Sequence, residues 1–170
     1  IAEESQLYHF KPKIVLEGGA IDVNGLGTCM TTESCILNPN RNEGITRGEM
    51  EIYFNNYLGA SKILWLNGAV EGDDTDGHID NLARFVNPNT IVCAVEENEF
   101  DTNYSLLKNN YNYLKNTTDQ NGNPLEIIPI PMPGMLEIER TVYLQAMLIS
   151  TLRTNRFLSL YITIEMINGP

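Results

Sequence analysis

Gly72-Asp73-Asp74-Thr75-Asp76-Gly77-His78-Ile79-Asp80-Asn81 sets one of the chain's two histidines among four carboxylates, shortly after the apolar stretch Lys62 to Leu66. Side chains on a strand alternate faces. His78 and Asp80, two apart at the head of a strand expected to run from His78 to Val86, should therefore project from the same face. A carboxylate beside the ring can hold an imidazolium or receive a cation. Crowded acids repel one another unless positive charge arrives, so the cluster carries a cost that a cationic guest would relieve. The competing reading is a solvated acidic loop; the embedded histidine and the loop-to-strand context favour a chemical site.

Upstream, Ile14 to Leu16 and Ala20 to Val23 read as strand segments around a double glycine. Asn24-Gly25-Leu26-Gly27 then offers a hairpin turn into a second strand near Thr28 to Thr32. Thr46 and Glu49 form a capping-box pattern, and Met50, Phe54, Tyr57 and Leu58 follow at helical spacing. Gly59 can end that helix before Lys62 to Leu66 returns as a strand.

Downstream the order starts again. A turn at Asn87-Pro88-Asn89 leads to a strand from Thr90 to Val95, a helix near Asn103 to Lys115 and a returning strand from Leu125 to Ile130. The apolar face of that helix is Tyr104, Leu107, Tyr111 and Leu114, and the asparagine-rich tract Asn109 to Asn116 reads as its solvated side. Two strand-strand-helix-strand units thus recur at a period of about sixty residues, a pattern of repeated blades packed about an axis. Glu17 stands one such period before His78. If rotation relates the units, the two side chains point at one centre.

The expected organisation is one partial domain. Residues 1–13 are a preceding helix or linker remnant, 14–76 the first clear repeat, 77–133 the second, and 134–170 an irregular tail. Within that tail a helix is expected over Leu136 to Leu152 and a strand over Tyr161 to Gly169.

Composition narrows the function classes. With 170 residues, 42% of them hydrophobic, the chain can bury one core. Eleven basic against 22 acidic residues give a formal charge of −11, which argues against nucleic acid or an anionic membrane surface and favours a small cationic substrate. No apolar run approaches a membrane span, and the start lacks a basic-then-apolar signal, so a cytoplasmic protein is expected. Cys29, Cys35 and Cys93 are odd in number and lack zinc-ligand spacing, which points to reduced structural thiols. Trp65 closes an apolar strand and reads as core; Arg84 is open between a structural ion pair and a substrate contact. Asp73, Asp74 and Asp76 either shape the loop or set its potential, and His9 reads as solvent-exposed.

Val15-Leu16-Glu17-Gly18-Gly19-Ala20-Ile21, Leu37-Asn38-Pro39-Asn40-Arg41-Asn42, Trp65-Leu66 and Gly72 through Phe85 together resemble the agmatine deiminase family, which is related to bacterial peptidyl-arginine deiminases. The similarity runs in order from about Val15 to Pro133. It implies an α/β fold of pentein type, a propeller of five ββαβ blades about a pseudo-fivefold axis, of which two to three are present here. It also implies cysteine-dependent hydrolysis of a guanidinium substrate, most simply agmatine to N-carbamoylputrescine and ammonia through a thiouronium intermediate, with no metal or organic cofactor.

Carried over by motif, the resemblance makes His78 the general acid and base. Glu17 and Asp80 are implied as both catalytic and substrate-binding residues: Glu17 orients His78 and supports its protonated form, and Asp80 binds guanidinium nitrogens. The family's nucleophilic cysteine lies close to its C-terminus in a Gly-x-x-x-Cys context, and nothing of that kind follows Gly169; Thr163 stands where the family carries an asparagine. The chain is therefore expected to be a piece of a longer enzyme, inactive alone. Its exposed strand edges favour association, a homo-oligomer included. The alternatives are a peptidyl- or free-arginine deiminase, and an inactive guanidinium-binding remnant.

Overall fold

The computed structural model describes residues 10–132 together with two short strands, Leu136–Ile138 and Thr141–Tyr143. In the first unit, β1 (Ile21–Val23) turns through Asn24 into β2 (Thr28–Thr32). Two single-turn helices follow, α1 (Glu33–Ile36) and α2 (Pro39–Asn42), then α3 (Arg47–Leu58) and β3 (Lys62–Leu66). In the second, β4 (Ala83–Asn87) and β5 (Thr90–Val95) are followed by α4 (Tyr104–Lys115) and β6 (Glu126–Pro131). Each forms its own three-stranded sheet, with the first pair antiparallel and the second parallel, as a helical crossover requires. Thr28 stands opposite Lys62 in one sheet and Thr90 opposite Glu126 in the other, so the repeat seen in the sequence is a repeat of topology.

The local chemistry of the first unit explains its elements. Asn24 Oδ1 accepts from the backbone of Leu26 and Thr28, at 2.9 Å each, and closes the hairpin. Thr46 and Glu49 complete a capping box at the head of α3, and Gly59 at φ 65° ends it. One core layer packs Met50 and Phe54 of α3 on Cys29 of β2 and Trp65 of β3. Trp65 is a core residue, as expected, donating Nε1–H to Glu51 at 2.9 Å beneath the Arg47 guanidinium. The other layer joins the two units: Met30, Leu64 and Leu66 pack against Ile79, Leu82 and Val92, with Leu107 and Leu114 of α4 closing it. Burial of each such side chain stabilises the fold by about 1.5–3 kcal/mol.

Several sequence expectations are corrected. Ile14 to Leu16 is not a strand, because Asn42 occupies the backbone of Val15, accepting its N–H at 2.8 Å and donating to its carbonyl at 3.0 Å. Asn110 repeats the device on Asn67 and is buried, so the asparagine tract of α4 is not wholly a solvated face. The stretch from His78 is a turn of 3₁₀ helix, Ile79–Asn81, and the strand begins only at Ala83. The expected helix over Leu136 to Leu152 is broken at its start, where β7 (Leu136–Ile138) and β8 (Thr141–Tyr143) pair antiparallel, consistent with β-branched and aromatic Thr141, Val142 and Tyr143. The remainder of that helix, the strand over Tyr161 to Gly169, His9 and the start of the N-terminal remnant lie outside the described residues.

Candidate functional site

The loop before His78 is built by its own side chains. Asp73 Oδ1 accepts from the backbone and hydroxyl of Thr75, at 3.0 and 2.6 Å, and Asp73 Oδ2 accepts from Gly77 N–H at 2.6 Å. The Thr75 hydroxyl then accepts the His78 N–H at 3.1 Å. Asp76 at φ 61° and Gly77 at φ 91° turn the chain. With these amides held by side chains, His78 cannot join a ladder, and it heads the short 3₁₀ turn instead. Asp73 therefore shapes the loop.

His78 and Asp80 are still brought together, by the turn rather than by strand alternation. His78 Nδ1 lies 3.9 Å from Asp80 Oδ1. On the other side of the ring, His78 Nε2 and Glu17 Oε2 stand 2.8 Å apart. Glu17 comes from the first unit, immediately before the 3₁₀ turn Gly18–Ala20, so the centre forms only where the two units meet. Gly19 permits the approach: a Cβ there would lie 2.4 Å from His78 Nδ1 and 2.8 Å from Asp80 Oδ2.

Arg41, at the end of α2, is a member of this centre that charge and spacing in the sequence do not reveal. Its Nε donates to Glu17 Oε2 at 2.7 Å and its Nη2 to Glu17 Oε1 at 3.2 Å. The same guanidinium reaches Asp76 Oδ2 at 2.6 Å and the Thr75 carbonyl at 3.1 Å. The one local signal was Asn38-Pro39, a cap followed by proline at the first helical position, which forecasts the helix but not the reach of the arginine. These bonds, Arg41 first and His78 second, hold the Glu17 carboxyl at about 2, well below its ordinary 4.5. Asp80 moves the other way: burial raises its pKa, opposed by His78 and Arg84. Arg84 is buried, 3.7 Å from Asp80 Oδ2 and 3.5 Å from Asp22 Oδ1, so its contacts in this chain are ion pairs with acids.

The Cys35 thiol donates to Glu17 Oε2 at 3.7 Å, and the ligand-capable atoms of Glu17, Cys35 and His78 lie within 4.8 Å of one another. A soft divalent ion could span such a set. Here Glu17 Oε2 already accepts from the Arg41 guanidinium and stands 2.8 Å from His78 Nε2, so its lone pairs toward such an ion are engaged by side chains of the chain. Burial pushes the Cys35 thiol up to about 11 and those of Cys29 and Cys93 to about 12, far from a poised nucleophile. A concavity of about 650 Å³ beside α3 touches this centre only through Arg41, so convergent titratable groups, not hollow volume, mark the site.

Residues 1–163 match the family described as Porphyromonas-type peptidyl-arginine deiminase. The chain belongs to that family. The agmatine deiminase of Medicago truncatula is 38% identical over 137 residues, which cover 80% of this chain and 37% of the relative. Among solved structures, the C. jejuni agmatine deiminase with substrate bound is 35% identical with a TM-score of 0.72, covering 85% of this chain and 42% of that one. The Enterococcus faecalis agmatine deiminase is 29% identical with a TM-score of 0.75, covering 85% and 40%. The two units described above are accordingly blades of the pentein fold, and the chain spans little more than a third of the length of the curated relatives it matches.

Proposed function

We propose that the full-length protein carrying this chain hydrolyses agmatine to N-carbamoylputrescine and ammonia. The observation that carries this reading is His78 held between two carboxylates, Glu17 on Nε2 at 2.8 Å and Asp80 beside Nδ1. In the reaction, a thiolate adds to the guanidinium carbon and His78 gives a proton to the departing amine, leaving a thiouronium. Water then adds to that carbon, His78 takes the water's proton, and the C–S bond breaks to release the ureido product and the thiolate. Asp80 accepts N–H bonds from the planar cation and fixes its carbon for attack. Burial disfavours an ionised Asp80 until positive charge arrives, which suits a residue that meets a cationic substrate. We assign the thiolate to the part of the protein outside this chain; what supports this is that its own three cysteines are buried with raised pKa values.

We place the protein in the cytoplasm. What supports this placement is that all three cysteines are free thiols, as suits a reducing compartment.

The test is ammonia release by the full-length protein from agmatine, free arginine and a peptide ending in arginine. Agmatine should give the highest kcat/KM. Preference for the peptide would favour the second reading, which the description of the matched family supports. His78→Ala should lower kcat by about 10²- to 10⁴-fold, and undiminished turnover in that variant would remove His78 from the chemistry.

A further inference from the structure

We infer that Arg41 is a positioning residue of the reaction, acting through Glu17 on His78; the inference rests on the deiminase reading. One guanidinium serves four acceptors: both Glu17 oxygens, the Thr75 carbonyl and Asp76. Glu17 comes from the first blade, whereas Thr75 and Asp76 belong to the loop that delivers His78, so Arg41 clamps the two halves of the site in register. A glutamate side chain has three rotatable bonds, and this one is partly exposed to solvent. The bidentate fork removes that freedom and leaves Oε2 turned to His78 Nε2.

The effect on rate follows from geometry. A carboxylate free to swing would leave the imidazole unbraced during two proton transfers, and misplacement by about 1 Å can cost about 10²-fold. A lysine cannot substitute, because an ammonium is a point charge and cannot hold both oxygens in one plane. Arg41 is not a substrate ligand here: its donors are already committed to Glu17, Thr75 and Asp76, and its side chain is mostly buried.

The experiment is a double-mutant cycle in the full-length protein with agmatine, using Arg41→Met, Arg41→Lys, Glu17→Gln and the Arg41→Met/Glu17→Gln pair, each checked for folding by thermal unfolding. Arg41→Met should lower kcat by about 10²-fold with KM changed less than about threefold. Arg41→Lys, which keeps the charge and serves if the methionine variant does not fold, should recover less than a tenth of the lost kcat. The double variant should be no slower than Glu17→Gln alone, because the arginine works only through that carboxylate. Losses that multiply, a raised KM at unchanged kcat, or full activity in the lysine variant would each overturn the inference while leaving the deiminase reading intact. A wild-type protein that consumes no guanidino compound would overturn both.

Discussion

Glu17 Oε2 and His78 Nε2 stand 2.8 Å apart although 61 residues of chain separate them. The contact is a product of repetition. Each unit brings one short segment to their junction, the 3₁₀ turns Gly18–Ala20 and Ile79–Asn81, and these two segments, one repeat apart in sequence, are neighbours there. The same carboxylate is shared with Arg41, which ties its ionisation to the integrity of the fold.

That sharing sets a pH dependence. A carboxyl that ionises near 2 when folded, against its ordinary 4.5, binds fewer protons in the folded state. Its stabilising effect is therefore complete above pH 4.5 and drains away as the pH falls toward 2. Partial exposure of the side chain keeps the effect modest through solvent screening. Urea unfolding of wild type and Glu17→Gln should show a gap in midpoint that narrows steadily through this acidic range. A gap that stays constant with pH would show that the charge of Glu17 is not its source.

The three thiols should be silent in the native state. Cys29 and Cys93 are held near 12 and Cys35 near 11, all by burial, so their thiolate fractions at neutral pH lie at least about two orders of magnitude below that of an ordinary cysteine. Mass-spectrometric mapping after maleimide treatment of the folded full-length protein should leave all three unmodified, and denaturant should expose all three together. Rapid labelling of Cys35 in the native state would place a reactive thiol beside Glu17 and reopen the assignment of the nucleophile.

The legible and illegible parts of this chain differ in physical kind. Thr46 with Glu49, Gly59 and the Asn24 turn act over a few residues, and the sequence displays them as motifs. The period that pairs Glu17 with His78 is long-range, but it shows because the blade is repeated. What stayed hidden is the side chain that substitutes for a strand or a helix cap at a distance. Asn42 consumes backbone groups of Val15 that an apolar pattern would assign to a sheet, and Asn110 holds the backbone of Asn67 just past the end of a strand. Arg41 was hidden for the same reason: an arginine after Asn-Pro-Asn reads as a solvated helix end unless the position of the partner carboxylate is known.

Arg84 gives a prediction of mixed character. It is buried between Asp80 and Asp22, whose Oδ2 also accepts the Phe85 N–H at 2.7 Å, so its removal takes the guanidinium away from both acids. Arg84→Met should destabilise the full-length protein by about 3 kcal/mol, read as a lowered Tm, and should also raise KM for agmatine, because Asp80 loses a charge that favours its ionised form. Loss of stability with KM unchanged would confine Arg84 to a structural role.

Gly19 makes the sharpest separation between folding and chemistry. Its backbone lies so close to the site that a Cβ would fall 2.4 Å from His78 Nδ1 and 2.8 Å from Asp80 Oδ2. The three nearest atoms all belong to side chains: Asp80 Oδ2 ends a carboxylate that can swing aside, whereas His78 Nδ1 sits next to Cγ, so the ring must turn away from Glu17 to admit the methyl group. Displacing them breaks the alignment of imidazole, carboxylate and guanidinium carbon, on which the rate depends steeply. Gly19→Ala in the full-length protein should therefore keep its Tm within a few degrees of wild type while kcat falls by about 10²-fold. By contrast, no atom lies within 4 Å of a Cβ built at the adjacent Gly18, so Gly18→Ala should retain most of the activity. Equal losses in the two variants would trace the effect to backbone stiffness in the 3₁₀ turn; a selective loss at Gly19 would locate it at the ring and carboxylate that the added methyl group strikes.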